Sequence, residues 1–329
     1  MPLDLLPDDL QRAIIDAATD LLDPVAAAAS LRTRADGPVR DLGVWDKATA
    51  QGWFGLAIPE DAGGLGLGTG ELALIHHALG RTLTPGPYLG TTVAATVAHA
   101  TGSPLLAEVM AGLPVGILTT DEPSGSFRTV DREDAGAWLV LSPDRAALLG
   151  ALPAGAIAAT PDSMDPGARP ALVTLDSDVE CYVEGTRPWT LAILLVAAQL
   201  AGIAQAAVAG SVAHTSVREQ FGRPIGGFQM VQQRCADMAT RADAATQLCL
   251  LAALTDADAA QLAASALLVA ADAAVTNARD DIQNHGGMGF TWEVDSHLRL
   301  RRAHGLRALL CDPTDLRHAV LAGTSARAW

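Results

Sequence analysis

Lysine is almost missing from this chain: Lys47 is the only one among 22 basic residues, the rest being arginine. Positive charge is scarce altogether, 22 basic against 37 acidic residues for a net charge of −15. That balance argues against nucleic acid as a partner, because a phosphate backbone repels such a surface. Cysteine is equally sparse. Cys181, Cys235, Cys249 and Cys311 lie far apart with no Cys-x-x-Cys pair, which excludes a disulfide framework and a zinc site and fits a reduced, cytoplasmic setting. Aromatics make up only 4% of residues although half are hydrophobic, so the expected core is Ala, Leu and Val, a composition suited to close-packed helices. The start, Met1-Pro2-Leu3-Asp4-Leu5, has no basic stretch and does not read as a signal peptide.

The most distinctive presence is itself a lack of charge. From Pro188 to Val217, thirty residues carry no Asp, Glu, Lys or Arg. The run is long enough to span a bilayer, but Ala dominates it, Gln199, Gln205, His214 and Ser216 interrupt it, and no basic cluster flanks it. A central bundle helix, buried on all sides, is the better account. Immediately after it comes Arg218-Glu219-Gln220-Phe221-Gly222-Arg223-Pro224-Ile225-Gly226-Gly227-Phe228-Gln229. Gly222, Pro224, Gly226 and Gly227 break the helix there. Arg218 places a guanidinium able to grip a phosphate in two-pronged fashion. Phe221 and Phe228 offer flat faces to a ring, and Gln229 donates and accepts hydrogen bonds. A plain helix-helix corner with core aromatics is the competing reading. A second glycine turn, Gln283-Asn284-His285-Gly286-Gly287-Met288-Gly289-Phe290, closes a later helix.

With 329 residues the chain has room for two or three units. Residues 1–114 read as helices, one capped by Asp8 or Asp9 and another opened by Asp41. The loop Ile58-Pro59-Glu60-Asp61-Ala62-Gly63-Gly64-Leu65-Gly66-Leu67-Gly68 is too glycine-rich for a helix. It lacks the lysine and preceding strand of a phosphate-binding loop, which favours a structural role. Residues 115–187 hold short apolar runs between Gly, Pro and Asp, at 115–120, 137–141, 156–159, 170–175 and 179–183, and read as a small sheet. Residues 188–329 are helical again.

Taken together, the Arg-x-x-Phe-Gly turn at Arg218, the Phe228-Gln229 pair, Ala236-Asp237-Met238 and the Gln283-x-x-Gly286-Gly287-x-Gly289-Phe290 segment resemble the C-terminal domain of the acyl-CoA dehydrogenase flavoproteins. Gly52-Trp53 and Pro59-Glu60-x-x-Gly63-Gly64 resemble that family's N-terminal signature. The resemblance implies a mainly α fold with a small β-domain: an N-terminal helical domain, an abbreviated middle β-domain and a C-terminal helical bundle. It implies FAD as cofactor and an acyl-CoA substrate, with Arg218, Phe221, Phe228, Gln229, Gln283, Gly286 and Gly287 on the adenosine-pyrophosphate side.

Two departures qualify it. The family's Thr-Glu-Pro-x-x-Gly-Ser-Asp loop appears only as Asp121-Glu122-Pro123-Ser124-Gly125-Ser126-Phe127, and the strand that faces the flavin ring has no counterpart. The two family seats for the catalytic carboxylate fall on Ala192 and Leu310, neither of which takes a proton. The resemblance is therefore to the shortened, base-lacking subunit of paired α2β2 dehydrogenases of actinobacterial steroid and bulky acyl-CoA catabolism. It implies a homologous full-length partner and an electron-transfer flavoprotein or similar acceptor. Two alternatives stay open: a homomeric dehydrogenase with a displaced base at Glu122, Glu293, Asp295 or Asp312, and a structural subunit without flavin, in which Arg218 and Gln283 pair with carboxylates. Arg299, Arg301, Arg302 and Arg307 read as a solvated basic helix end, with a phosphate contact as the alternative.

Overall fold

The computed structural model describes residues 6–32, 39–121, 126–160, 163–175 and 183–321. Its first unit is helical: α1 (Asp9–Leu21), α2 (Pro24–Arg32), α3 (Leu42–Ala50), α4 (Thr69–Thr82), α5 (Tyr88–Thr101) and α6 (Leu106–Met110). The expected caps are visible. Asp8 accepts from the Gln11 N–H at 2.8 Å while Gln11 accepts from the Asp8 N–H at 3.3 Å, a reciprocal box that fixes the start of α1. Asp41 accepts from the Val44 N–H at the start of α3. Trp45 of α3 then packs on Phe54 and Tyr88, with ring centroids 4.6 and 4.8 Å apart.

The glycine loop after Ile58 is structural. The amides of Gly64, Leu65, Gly66 and Leu67 donate to the carbonyls of Pro59, Gly55, Ile58 and Leu56. Amides spent inside the loop cannot also cradle a phosphate. A Cβ on Gly64 would overlap the Ile58 carbonyl, so glycine is required by close backbone approach rather than by a ligand.

The middle unit is a seven-stranded sheet: β1 (Val115–Asp121), β2 (Ser126–Thr129), β3 (Ala137–Ser142), β4 (Arg145–Leu149), β5 (Ile157–Ala159), β6 (Ala171–Val173) and β7 (Val183–Glu184), in the order β5-β6-β2-β1-β3-β4-β7. Among the described strands the β1–β3 pairing is the parallel one, with Val115 opposite Ala137 and Leu118 opposite Val140. β3 is buried on both faces, hence its uninterrupted apolar sequence. Trp138 and Val140 join a small cluster with Leu118, Ala147 and Val173, while Leu139 and Leu141 face the main core. The strand expected at 179–183 lies mostly outside the described residues. β2 and β4 were not expected.

The third unit is built on α7 (Arg187–Val217), followed by the short hairpin β8 (Glu219–Gln220) and β9 (Arg223–Pro224). Then come α8 (Gln229–Ala253), α9 (Ala259–His285), α10 (Ser296–Arg307) and α11 (Pro313–Leu321). α7 packs against α4, α8 and α9. Both α7 and the α9 segment are long and apolar enough to cross a membrane. α7, however, is buried within the protein along most of its length, as a core helix should be. Small residues bring it into backbone contact with α4: a Cβ on Gly80 would overlap the Gln199 carbonyl, and one on Gly202 the His77 carbonyl. Asn277 of α9, fully buried, donates to the carbonyls of Ala204 and Met238 and accepts from Arg241, tying three helices by one satisfied polar group.

Candidate functional site: two glycine turns at one corner of the helical bundle

Arg218 is the C-terminal cap of α7, with extended backbone. Its carbonyl accepts from the Ile225 N–H at 2.8 Å, which folds the following residues back as the β8–β9 hairpin. Glu219 pairs with Pro224 and Gln220 with Arg223, leaving Phe221 and Gly222 as the two loop residues at φ of +53° and +79°. Both signs match the turn that joins twisted strands. Glycine adopts that conformation freely, whereas a phenylalanine there costs on the order of 1–3 kcal/mol. The outcome is a ring held almost wholly in solvent, 92% exposed. Phe228 is half-buried; its ring meets Phe221 edge-on at 6.1 Å and one face carries the Arg223 guanidinium at 4.1 Å. Gln229 begins α8 with its side chain exposed.

The second turn closes α9. The Gly286 N–H donates to the Gln283 carbonyl and Gly286 sits at φ +62°, ψ −140°, a region glycine alone populates readily. A Cβ at Gly286 or Gly287 would meet nothing within 4 Å, so this backbone is open to close approach. Gln283 is exposed. Among the described residues, the side chains of Arg218 and Gln283 have no hydrogen-bond or ion-pair partner. The carboxylate pairing demanded by the flavin-free reading is thus not seen among them.

The two turns are side by side because the helices bearing them touch. His214, in the last turn of α7, stacks on His285, in the last turn of α9, at 4.1 Å. Beneath them lies Asp281, fully buried. It accepts from the Ser211 hydroxyl at 2.9 Å and from Arg299 Nη1 at 2.7 Å, and stands 3.2 Å from His285 Nδ1. The same Nδ1 donates to the Asp281 carbonyl at 2.8 Å. The hydrogen bond to Asp281 raises the His285 pKa against the opposing pull of burial. His214 is held low by burial, then by the charges of His285 and Arg218. Around this corner the exposed apolar side chains gather in the turn segments: Val217, Phe221, Met230, Met288, Phe290 and Trp292. Apolar groups left in solvent beside a polar site are what an interface requires.

The two positions at which the resemblance places the base are buried and apolar. Ala192 is fully buried and Leu310 is 6% exposed, both within the main apolar core. Of the displaced candidates, Glu122 lies outside the described residues. Glu293 is exposed, Asp295 pairs with Arg32, and the exposed Asp312 accepts from the Thr314 N–H. The arginines of α10 are not a free basic stripe. Arg299 is bound to Asp281, Arg301 lies over Trp292, and Arg302 is buried against Asp165 at 2.6 Å.

One feature of this region has no sequence signal. A cavity of about 90 Å³ is lined by Leu89, Asp131, Asp165, Gln199, Arg302 and Leu309, among others. Asp131 lines its wall; burial pushes its carboxyl up to about 7, opposed by the Ile117 N–H at 3.2 Å. Arg302 Nη2 is buried without a partner among the described residues. No spacing rule finds Asp131, because it approaches Arg302 only through the folding of the sheet against α10.

The sequence profile of the acyl-CoA dehydrogenase C-terminal domain matches residues 192–309, and that of the N-terminal domain matches residues 8–108. Acyl-CoA dehydrogenase FadE34 of Mycobacterium tuberculosis is 36% identical over 329 aligned positions, covering 89% of this chain but 45% of FadE34. This chain therefore spans about half the length of that relative. Acyl-CoA dehydrogenase IpdE2 of the same organism is 32% identical over 325 positions, covering 95% of this chain and 96% of IpdE2. Among solved structures, a variant of the Tcur3481-Tcur3483 steroid ACAD shares the fold with a TM-score of 0.77 at 21% identity, covering 96% of this chain and 98% of that one. The chain belongs to the acyl-CoA dehydrogenase family.

Proposed function

We propose that this chain is the base-lacking subunit of an FAD-dependent acyl-CoA dehydrogenase and works beside a homologous full-length partner, two copies of each. The observation that carries the reading is a contrast within one molecule. The turns suited to the adenosine-pyrophosphate are intact, open and unpaired at Arg218, Gln283, Gly286 and Gly287, while both seats for the carboxylate are filled by buried apolar side chains. The residues present fit the cofactor. A guanidinium with no internal partner and a glycine backbone with open space are what a pyrophosphate needs, and the exposed Phe221 ring offers a face to an adenine. When bound, the flavin supplies the acceptor for the β hydride of the thioester. This chain contributes binding and orientation: Arg218 holds the phosphate, Gln283 and Gln229 supply neutral hydrogen bonds, and the exposed aromatic and thioether side chains dock on the partner. The partner supplies the carboxylate that takes the α proton.

The two-protein name of the Tcur3481-Tcur3483 steroid ACAD supports a paired assembly acting on a steroid-derived or other bulky acyl-CoA. An electron-transfer flavoprotein or similar acceptor, and a cytoplasmic setting, complete the proposal. The test is co-expression with a full-length homologue, which should give a 2:2 complex with two flavins per tetramer. In it, Arg218→Ala should weaken flavin retention by roughly ten- to a hundredfold, the worth of a charge-assisted hydrogen bond, and Gln229→Ala by less. A stable homotetramer of this chain with one flavin per protomer refutes the reading.

A second reading rests on Asp131. A carboxyl poised near neutrality at the wall of a cavity has the pKa a general base needs, and in a homomeric enzyme it would take the α proton. The cavity opposes this: about 90 Å³ holds roughly three waters, not an acyl chain. If Asp131→Asn costs the 10²–10⁴-fold in turnover typical of losing a general base, with flavin content intact, the second reading stands.

A further inference from the structure

Both helices that lead into the flavin turns end at the same corner. α7 stops at Val217 and α9 at His285, and the rings of His214 and His285 stack where they meet. A helix C-terminus carries about half a negative charge. A pyrophosphate brought here therefore meets two negative helix ends on a chain of net charge −15, and one arginine does not balance it. Asp281 and Arg299 cancel each other, 2.7 Å apart beneath the corner. Arg223, the other guanidinium of the hairpin, is laid over the Phe228 ring, so a doubly charged ligand on the glycine turns faces Arg218, joined by His285 when that ring carries a proton.

Everything around His285 is arranged for that. Its Nδ1–H is committed to the Asp281 carbonyl and faces the Asp281 carboxylate, so the ring orientation is fixed and Nε2 points elsewhere. Nε2 has no partner among the described residues. The next two residues, Gly286 and Gly287, form the open turn.

We infer that protonated His285, oriented by Asp281, is a second cationic ligand of the flavin pyrophosphate beside Arg218. This rests on the proposal that the two glycine turns hold the cofactor, and it adds a residue and a pH dependence to it. The groups facing His285 are Asp281 on its own helix, Arg299 on α10 and the His214 ring at the end of α7, which itself feels the charge of Arg218. Asp281 raises its pKa, while burial and Arg299 work against that. His214 stays neutral beside it and leaves the single proton to His285.

The measurement uses the two-chain complex, stripped of flavin and titrated with FAD by flavin fluorescence from about pH 6 to about pH 9. Affinity should fall roughly tenfold as pH rises through the elevated His285 pKa. His285→Gln should remove that step and set affinity near the wild-type value at high pH. His214→Ala should keep the step. Calorimetry of FAD binding to the unmodified complex, in buffers of differing ionisation heat, should show proton uptake near that pKa, a readout that does not depend on any variant folding. A wild-type pH profile retained in His285→Gln, or no proton uptake, overturns the inference. If Arg218→Ala weakens binding at every pH while His285→Gln does nothing, this inference alone fails. If Arg218→Ala also leaves affinity unchanged, the flavin-turn reading falls with it.

Discussion

Replacing Asp131 by asparagine should make the protein more stable in alkali and leave it unchanged in acid. Burial raises the Asp131 carboxyl from 3.8 to about 7 in the folded chain, opposed by the Ile117 N–H, with the repulsion of Asp134 outweighing the attraction of Arg302. Between those values the folded chain keeps a proton that the unfolded chain has lost, and stability falls as pH rises across the window. Above pH 7 both states are ionised and the full penalty stands. Some three pH units at 1.36 kcal/mol each give about 4 kcal/mol, an upper figure. Asparagine has no charge to bury and still offers an oxygen to the Ile117 N–H. Asp131→Asn should therefore match the wild type near pH 4 and exceed it by a few kcal/mol at pH 8. In a chain of this size that corresponds to several degrees in melting temperature. Thermal melts of both proteins at intervals between those pH values supply the test. Parallel curves, or a variant less stable at pH 8, would show that the carboxyl is not held in its neutral form.

Two further substitutions probe the packing that positions the turns. Gly80→Ala places a methyl against the Gln199 carbonyl, and prising α4 from α7 should cost about 1–3 kcal/mol or more in denaturant unfolding. Asn277→Ala leaves the Ala204 and Met238 carbonyls and the Arg241 guanidinium short of a partner inside the bundle. A loss of several kcal/mol is expected, visible as a lower unfolding midpoint with an unchanged slope.

Much of this fold could be read because its signals are local. Asp8 and Asp41 announce helices through their own caps, and the uncharged stretch after Pro188 matches the burial of α7, continuous from Ala192 to Ala204 and one-sided towards Val217. Strands were harder where pairing outweighed propensity. Arg145-Ala146-Ala147-Leu148-Leu149 has a helix-forming composition, yet it lies antiparallel to β3 with Ala146 opposite Leu141. The turns holding Arg218 and Gln283 were legible from their glycines. The cluster joining them was not: Ser211, Asp281, His285 and Arg299 come from three helices, and their meeting is a product of the bundle. The basic look of α10 misled for the same reason. A row of arginines resembles a solvated helix end until folding gives Arg299 and Arg302 buried carboxylates.

On the proposed reading, the loss of the base and the apolar filling of its two seats follow from one physical choice. A carboxylate can abstract a carbon-bound proton only if it is stripped of water, and holding it so costs the fold several kcal/mol unless substrate repays it. Ala192 and Leu310 carry no such cost: each adds apolar contact to the core, and the chain gains stability where an active subunit loses it. The corner proposed for the pyrophosphate is under no equivalent pressure. Arg218, Phe221 and Gln283 are solvated in the isolated chain and strain little beyond the Phe221 backbone. A subunit relieved of chemistry would therefore fill in its acyl side first and keep its outward-facing side for as long as a partner's flavin makes use of it. The contrast between a sealed interior and an open corner is the pattern left by that asymmetry.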